Sequence, residues 1–574
     1  MPVQQLRMVN PDPGSAGQPR APKGIVLGTY RAGDEQAWAD IVNTTDMGSD
    51  YDVGKARQSL TTRQRFDPEG LFFARDGGTG RPLATACAWW TGEWGRLRPA
   101  LHMVACRPES KGRGLGKLVC QAVLDYFARR GEREVILSTD DHRLPALGTY
   151  LRLGWLPMRF VRGEDHLGRW EAIFRKLSSK CGPLRFAGKG RAIPVAVLGL
   201  GRGAGLAAYV QAHCAGQIVA GCDVAEEARR QFAERFGLRE VDSRLEALLD
   251  SPAEAVIVAN DCPDHAWPAI AALRAGKDVL SEVTAFHTPA EGVELIETIE
   301  QTRRAYMLAE NCLYSNAMYE LAYQAVTGAL GRLQYAEGDY VHDIRSLMTR
   351  AGQRHWRGWL PPLFYCTHPL GPILRARQLA AGLRSPRERP VRVVAMHTGS
   401  KVEKTQGGID MGAMLIQCSD GSAVRIATGF AVNREPSSLW VCFYGTKASL
   451  ETDRWEEKVH LYRPENRDAA GPTSYRPAGW DRRPYTTAGH FGADPRMMEY
   501  WIESLANGLV MPVDVYEAAD MTMPGILGHR SSLTGSQPIE LPDLRDPAGR
   551  EACRRDRARP DPGDPTRLTD TSPA

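Results

Sequence analysis

A glycine-rich loop follows a short apolar run near residue 199. The run Val195–Leu198 leads into Gly199, Gly201 and Ala204, which are spaced as G-x-G-x-x-A. Glycines at the first two positions permit a tight turn and a close backbone approach to a diphosphate, and a small third residue lets the next helix pack closely. The pattern predicts a dinucleotide at the N-terminus of that helix. A purely structural glycine turn is the less favoured alternative, because strand, loop and helix follow in the required order.

An acidic residue stands where the ribose of this dinucleotide would be recognised. Asp223 ends the strand that follows the glycine loop. A carboxylate there can bind the 2′-hydroxyl of the adenosine ribose and repel a 2′-phosphate, which favours NAD over NADP. His265, after the next strand, is interpreted either as a residue that lines the cofactor cleft or as a helix cap.

A second glycine-rich loop lies between the apolar run Ala100–Ala105 and a helical pattern that begins near Leu115. Successive backbone N–H groups and the helix N-terminus together favour a bound pyrophosphate. Taken alone, the loop is equally consistent with an ordinary turn. The candidate phosphate-binding residues are Lys111, Gly112, Arg113, Gly114, Gly116 and Lys117.

Residues 24–177 resemble the GNAT acetyltransferases. Lys111, Gly114 and Gly116 occupy the places of the family's Gln/Arg-x-x-Gly-x-Gly/Ala signature, with lysine as a departure, and residues 146–155 are similar to its Ala-x-x-x-Tyr-x-x-x-Gly-Phe ending. The resemblance implies acetyl-CoA as co-substrate, an amine as acceptor, and Tyr150 as the proton donor to the leaving thiolate. A core tyrosine is the alternative. The general base stays open among three candidates, His102, Glu109 and Asp140.

Residues 193–544 resemble the glucose–fructose oxidoreductase/inositol dehydrogenase (Gfo/Idh/MocA) family, through the glycine loop and the segments 271–282 and 444–451. The resemblance implies bound NAD with Glu282 beside it and a sugar-like substrate. Most of these dehydrogenases carry Glu-Lys-Pro where this chain has Glu282, Val283 and Thr284. Because valine cannot move a proton, the lysine-based scheme is excluded.

Three further segments resemble the NAD-dependent glycosidases that act on α-N-acetylgalactosaminides: 309–314, 336–343 and 365–372. The resemblance implies that Tyr365 and His368 lie at the hydroxyl to be oxidised, and that Glu310 and Tyr340 occupy other active-site positions. A histidine that titrates near neutrality can take a hydroxyl proton, and a phenol can relay it.

Structural alternatives exist for several of these residues. Glu310 could be a strand-end carboxylate tied to the backbone or to an arginine. For His342 and Asp343 we favour an interior pair over catalysis. The aromatic segment 355–359 is equally suited to stacking on a sugar ring and to packing the lobe.

The patterns around these motifs predict an α/β multidomain protein: a GNAT-like α+β domain, a Rossmann domain with a doubly wound parallel sheet, and an α/β lobe with an open mixed sheet. The last segment is too poor in large apolar residues to offset its ordering entropy. The predicted divisions are a flexible arm (1–23), the GNAT-like domain (24–177), a linker (178–192), the NAD-binding domain (193–332), the substrate and oligomerisation domain (333–544) and a disordered tail (545–574).

Composition excludes several classes of function. The chain has 574 residues, a net charge of only +4, and no apolar stretch of membrane-spanning length, which argues against nucleic-acid and membrane partners. Its 12 cysteines form no C-x-x-C pair or Cys/His cluster, so we expect no disulfide framework and no metal site. We expect a cytoplasmic enzyme that takes a small-molecule sugar or amine and, by resemblance, forms a homo-oligomer through its C-terminal sheet.

Three functions remain open from the sequence. The first is a bifunctional enzyme that acetylates an amine and oxidises a sugar, amino sugar or cyclitol with NAD. The second is a redox-neutral glycosidase or epimerase that recycles NAD through a keto-sugar. The third is a ligand-binding protein without catalysis, for which Lys111 and Val283 are the supporting departures.

Overall fold

A computed structural model describes residues 4–48, 50–61, 66–177, 182–239, 241–350, 353–381, 388–402, 408–434, 438–466, 471–477 and 488–570. The chain divides into two compact units. The first comprises residues 1–192 with 502–510, and the second comprises residues 193–501 with 511–574.

The first unit is a mixed sheet with helices. Its elements in chain order are Leu6–Asn10 (β1), Ile25–Thr29 (β2), Glu35–Val42 (α1), Val53–Ala56 (α2), Leu71–Asp76 (β3), Pro82–Glu93 (β4), Arg96–Cys106 (β5), Leu115–Arg129 (α3), Val135–Thr139 (β6), Leu144–Arg152 (α4), Leu156–Pro157 (β7), Phe160–Val161 (β8), Glu164–Asp165 (β9) and Leu167–Leu177 (α5). Seven strands form one sheet in the order β2-β3-β4-β5-β6-β1-β7.

Strands β5 and β6 diverge in the middle of this sheet. They run parallel but pair only at Ala100 and Ile136. On the other side of β5 the register with β4 shifts, and Met103 within that shift has a φ of +51°. The shift has the character of a β-bulge, which bends a strand away from its neighbour. Among the described residues, the two strands form no further ladder pair beyond Ala100 and Ile136.

The N-terminal segment contains a buried strand, so the prediction of a flexible arm over residues 1–23 was wrong for this part. Leu6–Asn10 are all buried and pair antiparallel with β6 and with β7. Three of these five residues are apolar and lie in the core. The Pro- and Gly-rich residues that follow dominated the composition of the segment, so this short apolar run was missed.

A buried ion pair ties residues 502–510 into the first unit. Arg98 is fully buried and pairs with Glu134, and its second Nη donates to Val510 O at 2.9 Å. The other carboxylate oxygen of Glu134 accepts from Val510 N, also at 2.9 Å. Glu503 accepts from Trp94 Nε1 at 2.6 Å and from Gly163 N at 2.7 Å. Each buried charge in this cluster is thus hydrogen-bonded, as burial requires.

The second unit begins with a parallel sheet of order β11-β10-β12-β13-β14. Its strands are short and largely buried, as is typical of sheets covered on both faces. The elements in chain order are Ile193–Leu198 (β10), Arg202–Gln211 (α6), Gly216–Cys222 (β11), Glu226–Phe236 (α7), Leu245–Asp250 (α8), Ala255–Val258 (β12), Ala266–Arg274 (α9), Asp278–Ser281 (β13), Pro289–Thr302 (α10) and Tyr306–Leu308 (β14).

A nine-stranded sheet follows in the order β24-β23-β22-β21-β15-β20-β19-β18-β25. Only β15 and β20 pair in parallel, so the sheet is mixed as predicted. The remaining elements are Asn316–Val326 (α11), Leu333–Val341 (β15), Thr349–Arg350 (β16), Gln353–Arg354 (β17), Thr367–Ala381 (α12), Pro390–His397 (β18), Met411–Cys418 (β19), Ala423–Gly429 (β20), Ser438–Gly445 (β21), Ser449–Thr452 (β22), Val459–Tyr462 (β23), Thr473–Tyr475 (β24), Ala488–Asn507 (α13), Val515–Leu533 (α14), Ile539–Glu540 (β25), Pro547–Cys553 (α15), Ala558–Pro560 (β26) and Leu568–Asp570 (β27).

The C-terminal segment also differs from its prediction as a disordered tail. It forms α15 and the β26–β27 hairpin, while residues 571–574 lie outside the described part of the chain. Its arginines pair with acidic residues of α10: Arg550 Nη1 with Glu300 at 2.7 Å, and Arg554 with Glu297 at 2.8 Å. Ion pairs replace the apolar contacts whose absence suggested disorder.

Other expectations concern the linker and the membrane. Residues 182–192 form neither helix nor strand, and residues 178–181 lie outside the described ranges. None of the helices in the described residues combines the length and apolarity of a transmembrane span.

The buried pair yields a stability prediction. Arg98→Met should lower the free energy of unfolding of the first unit by about 3–5 kcal/mol, because it leaves the Glu134 carboxylate buried without its cation. Urea denaturation of the full chain, followed by circular dichroism, measures the loss. Arg129→Met is the control, since Arg129 is 68% exposed in its pair with Asp125 and should change little. Equal effects of the two substitutions would contradict this assignment.

Candidate active sites

The glycine loop after β10 has the geometry of a diphosphate cradle. Gly199 has a φ of +83°, and a Cβ there would lie 2.3 Å from the carbonyl oxygen of Ala259. A Cβ on Gly201 would meet no atom within 4 Å, so the space in front of this residue is open. Gly203 makes the close approach of helix to strand, since its Cβ would lie 2.6 Å from Val197 Cγ1. The sequence pattern had given this packing role to Ala204, which is only half-buried.

Asp223 lies beside this loop, at the end of β11. One carboxylate oxygen accepts from Leu200 N at 2.7 Å and the other from Ala225 N at 2.8 Å. The carboxylate is therefore held at the edge of the cradle, next to an 89% exposed Val224. An apolar side chain so exposed offers a surface on which an adenine could lie.

His265 holds two loops together at the carboxyl edge of the sheet. Its ring nitrogens contact Thr284 O at 3.2 Å and Asn260 O at 3.0 Å, and its side chain makes no helix-cap hydrogen bond. The histidine is buried, and burial lowers its pKa. The geometry favours a structural link between the loops after β12 and β13.

Arg202, at the start of α6, is neutralised by two carboxylates. Its Nε donates to Glu282 at 2.8 Å, and its two Nη atoms donate to Asp494 at 2.7 Å. Burial alone would raise the pKa of Asp494, but hydrogen bonds from Arg202 and His490 outweigh it and hold this pKa far below its usual range. Asn311 also donates to Asp494, at 3.0 Å. The network joins the glycine loop to the loop that follows β14.

Four residues from separate elements meet in a buried cluster: Glu310 after β14, Tyr340 on β15, Tyr365 before α12 and His368 within α12. His368 Nδ1 donates to Glu310 Oε1 at 2.7 Å. The Tyr340 ring stands edge-on to the His368 ring at 4.5 Å between centroids, and the Tyr365 ring lies 5.6 Å from it. Residues that were predicted separately thus lie together, and their roles stay predictions.

The electrostatics of this cluster suit proton transfer. Glu310 is fully buried; Oε1 also accepts from Cys312 N at 3.2 Å, and Oε2 has no hydrogen-bond partner among the described residues. Burial raises the pKa of Tyr340 and of Tyr365, so both phenols are neutral donors near pH 7. A buried histidine with one nitrogen bonded to a carboxylate is oriented to exchange a proton through the other nitrogen.

Cys312 adds a thiol to this cluster. The ligand atoms of Glu310, Cys312 and His368 lie within 4.8 Å of one another, a spacing that could hold a metal ion. Burial strongly raises the pKa of the Cys312 thiol, so its metal-binding thiolate form is disfavoured. The direct hydrogen bond between the other two residues instead favours a proton-handling pair.

The neighbouring segments bear on three further expectations. The Trp356 ring is parallel to the Tyr365 ring at 6.3 Å, so the aromatic segment borders the cluster. Val283, in place of the usual lysine, is buried and joined to Thr284 by a cis peptide bond. Asp343, expected in an interior pair with His342, is partly exposed, and its carboxylate pairs with Arg345.

In the first unit, the loop before α3 is open. Gly112 and Gly114 have φ values of +80° and +75°, and a Cβ on either would meet nothing within 4 Å. Gly116 lies against the end of β5, since its Cβ would lie 3.4 Å from Cys106 Sγ. The three cations of the loop are exposed around it: Lys111, Arg113 and Lys117. Exposed cations and free N–H groups at the N-terminus of a 15-residue helix suit a diphosphate.

Tyr150 is buried on α4, edge-on to Trp155 at 5.7 Å, and burial raises its pKa strongly. The three general-base candidates differ in their contacts. Glu109 pairs with Arg81 at 3.0 Å, and Asp140 pairs with Arg143 at 3.0 Å. His102 instead stacks on Trp89 at 5.5 Å, just beyond the point where β5 and β6 separate.

Three family profiles match the chain. Residues 38–155 match the acetyltransferase (GNAT) family, residues 193–310 match the oxidoreductase family with an NAD-binding Rossmann fold, and residues 363–548 match the glycosyl hydrolase 109 C-terminal domain. The chain therefore combines a GNAT domain with a Gfo/Idh/MocA-type NAD-binding domain and a glycosyl hydrolase 109 C-terminal domain, which confirms the resemblances drawn from the motifs.

Curated relatives agree with this division. A glycosyl hydrolase family 109 protein of Saccharopolyspora erythraea is 27% identical over 390 residues, which cover 61% of this chain and 83% of the relative. An alpha-N-acetylgalactosaminidase of Bacteroides fragilis is 27% identical over 325 residues, which cover 50% of this chain and 74% of the relative.

Among solved structures, a levoglucosan dehydrogenase in complex with NADH and levoglucosan has a TM-score of 0.53 at 18% identity, covering 61% of this chain and 100% of its own. An oxidoreductase domain protein from Kribbella flavida has a TM-score of 0.52 at 19% identity, with coverage of 61% and 100%. These likenesses show the fold of the matched part of the chain.

The glycine geometry predicts a loss of stability for one substitution in this loop and a loss of NAD affinity for another. Gly199→Ala should destabilise the second unit by about 1–2 kcal/mol, because its Cβ is strained at positive φ and overlaps the Ala259 carbonyl. Gly201→Ala should leave stability unchanged and weaken NAD binding at least about tenfold, since its Cβ occupies only the space left for the diphosphate. Urea denaturation and calorimetric titration of nucleotide-free protein with NAD measure the two effects. Unchanged NAD affinity in Gly201→Ala would place the dinucleotide elsewhere.

Proposed function

We propose that the second unit is a sugar-active enzyme that oxidises a ring hydroxyl with NAD and then restores it, so that the net reaction is the redox-neutral cleavage of a glycoside. The observation that carries this proposal is the buried His368–Glu310 hydrogen bond, flanked by Tyr340 and Tyr365. The His368–Glu310 pair can transfer protons. It is present in a chain that has Val283 at the position where related dehydrogenases carry the catalytic lysine. The relatives that are named as family 109 glycosidases support the same choice.

The residues present fit a bound NAD. The open space at Gly201 can receive the diphosphate, and Asp223 is held where a ribose hydroxyl would bind. Arg202 already pairs with two carboxylates, so its charge is not left to bind the 2′-phosphate that distinguishes NADP from NAD. When bound, NAD would supply the oxidant for the sugar and the reductant that restores the hydroxyl.

His368 would act as the base on the hydroxyl that is oxidised. Because Nδ1 is bonded to Glu310, the imidazole presents Nε2 to the substrate. The Glu310 carboxylate stabilises the imidazolium that forms when this nitrogen takes the proton. Tyr365 and Tyr340, as neutral phenols, would donate hydrogen bonds to the substrate oxygens.

The ketone that results makes the neighbouring C2–H acidic. When that proton is removed, a C1–C2 double bond forms and the bond from C1 to the aglycone oxygen breaks. The aglycone oxygen leaves with the bonding electron pair and takes up a proton. Glu310 Oε2, which has no hydrogen-bond partner among the described residues, can accept the C2 proton, while the protonated His368 can return one to the departing oxygen. Addition of water to the C1–C2 double bond and reduction of the ketone complete the cycle.

The state of the cofactor tests this proposal against an ordinary dehydrogenase. Purified protein should release about one equivalent of NAD on denaturation, detected by mass spectrometry, and no free NADH should accumulate during turnover. NADH that accumulates in proportion to substrate would instead favour net oxidation. A protein that neither carries nor binds NAD would favour the ligand-binding alternative.

His368→Asn should lower the turnover number by about 10²–10⁴-fold, because asparagine keeps a hydrogen bond to Glu310 but cannot take a proton. The assay is nitrophenol release from the best substrate in a panel of 4-nitrophenyl glycosides that includes the α-N-acetylgalactosaminide. His342→Asn is the matched control, since His342 also packs on the Tyr340 ring, at 5.1 Å, and lies 5.6 Å from the Phe430 ring. Full activity of the His368 variant with its NAD content intact would exclude this role.

The first unit is proposed to be an N-acetyltransferase. Three features support acetyl-CoA as its co-substrate: the open cationic loop before α3, the divergence of β5 from β6, and the GNAT profile. Tyr150 would protonate the leaving thiolate, and His102 would take the proton of the amine. The bifunctional protein would then act on amino sugars or related compounds with both an amine and a hydroxyl.

For this reaction, Tyr150→Phe should lower the turnover number at least about tenfold without changing the KM for acetyl-CoA, because it removes only the proton donor. Release of free CoA in the presence of a panel of primary amines, followed with a thiol reagent, measures the rate. Arg129→Gln serves as the control, since Arg129 is 68% exposed in the last turn of α3 and is not among the candidate site residues. An unchanged rate in the Tyr150 variant would show that this tyrosine is a core residue.

Self-association through the nine-stranded sheet stays a prediction. Large apolar side chains on different strands of this sheet are exposed, which supports an interface there. They are Met396, Leu415, Tyr444 and Tyr462.

A further inference from the structure

One arginine at the second site has no counter-charge among the described residues. Arg357 lies in the short 3-10 turn Trp356–Gly358, and its guanidinium carbon is 4.1 Å from the centroid of the Trp356 ring. That ring is parallel to Tyr365, which contacts His368. The stacked guanidinium is therefore held at the border of the proton-transfer cluster.

The same turn lies next to the carboxyl edge of the parallel sheet. His355 Nε2 is 3.9 Å from Asp261 Oδ1, in the loop that follows β12. Burial raises the pKa values of three neighbouring groups: Tyr340, Tyr365 and Cys262. The positive charge of Arg357 acts in the other direction and lowers each of them in part. Its charge thus acts on two tyrosines of the proton-transfer cluster and on the loop after β12.

The acidic groups around the proton-transfer cluster are bound to partners of their own. Glu282 and Asp494 are bound to Arg202, and Glu310 is bound to His368. Asp261 is 60% exposed and lies nearest to His355. No carboxylate of the described residues is within ion-pair distance of Arg357. A partly buried guanidinium without a partner is costly unless an anion binds it, and its planar fork suits a carboxylate or a phosphate.

We propose that the sugar substrate of the second unit carries an anionic substituent, a carboxylate or a phosphate, and that Arg357 binds it. This proposal rests on the proposed function of the unit and names its substrate class. Stacking on Trp356 holds the guanidinium plane, so its N–H edge can donate two parallel hydrogen bonds to two oxygens of the anion. A neutral sugar cannot supply this partner.

Binding of matched sugars to the full-length, NAD-loaded protein tests the proposal. D-galacturonate and D-galactose 6-phosphate are compared with D-galactose, and D-glucuronate with D-glucose, by calorimetric titration. The dissociation constant of at least one anionic sugar should be about tenfold or more below that of its neutral partner, with the advantage falling at high salt. Comparison of the 6-phosphate with the uronates distinguishes phosphate from carboxylate.

Variants then assign this preference to Arg357. Arg357→Gln should abolish it, and Arg357→Lys should retain part of it, because lysine keeps the charge without the bidentate fork. Arg345→Gln is the control, since Arg345 is bound to Asp343 and should leave the preference unchanged. Equal binding of neutral and anionic sugars, no binding of any of the five, or a preference that persists in Arg357→Gln would overturn the proposal.

The NAD content of the same samples separates this proposal from the function on which it rests. NAD-loaded wild-type protein that shows no anion preference would reject the assignment of Arg357 and leave the glycosidase proposal standing. Wild-type protein that neither carries nor binds NAD would reject the proposed function itself, and the substrate class with it.

Discussion

The hydrogen bond between His368 and Glu310 is the contact on which the chemistry of the second unit depends. A carboxylate as deeply buried as Glu310 is costly unless it is hydrogen-bonded, and the imidazole supplies that bond from a different element. The bond leaves one imidazole nitrogen free for the substrate. Because Tyr340 and Tyr365 pack against the same ring, the position of a single histidine sets the geometry of the whole cluster.

The two units hold their glycine loops in different ways. Gly199 is pressed against the Ala259 carbonyl, so its loop is rigidly placed by the neighbouring strand. Gly112 and Gly114 have no such neighbour, and exposed cations surround them. Both arrangements direct backbone N–H groups at the start of a helix toward an anion. The first suits a cofactor that stays bound through the cycle, and the second suits a co-substrate that is exchanged at each turnover.

The sequence patterns failed to predict the structure of the two terminal segments. The C-terminal segment was expected to be disordered because it lacks large apolar residues, yet Arg550 and Arg554 attach it to acidic residues of α10. The N-terminal strand was hidden by the proline and glycine around it. Hydrophobic periodicity cannot detect an element whose stability comes from ion pairs, or one so short that its neighbours dominate the composition.

By itself the sequence determined the three families of domain, the nucleotide loops and the residue types of the proton-transfer cluster, because strand, glycine loop and helix are local in the chain. Tertiary structure alone decided that Glu310 bonds His368, that Asp343 pairs with Arg345, and that Gly203 makes the close packing expected of Ala204. It also decided that Arg357 has no partner among the described carboxylates while Arg202 has two. Such pairings join residues from distant parts of the chain, and their geometry depends on how the strands and helices pack, which spacing in a sequence does not encode.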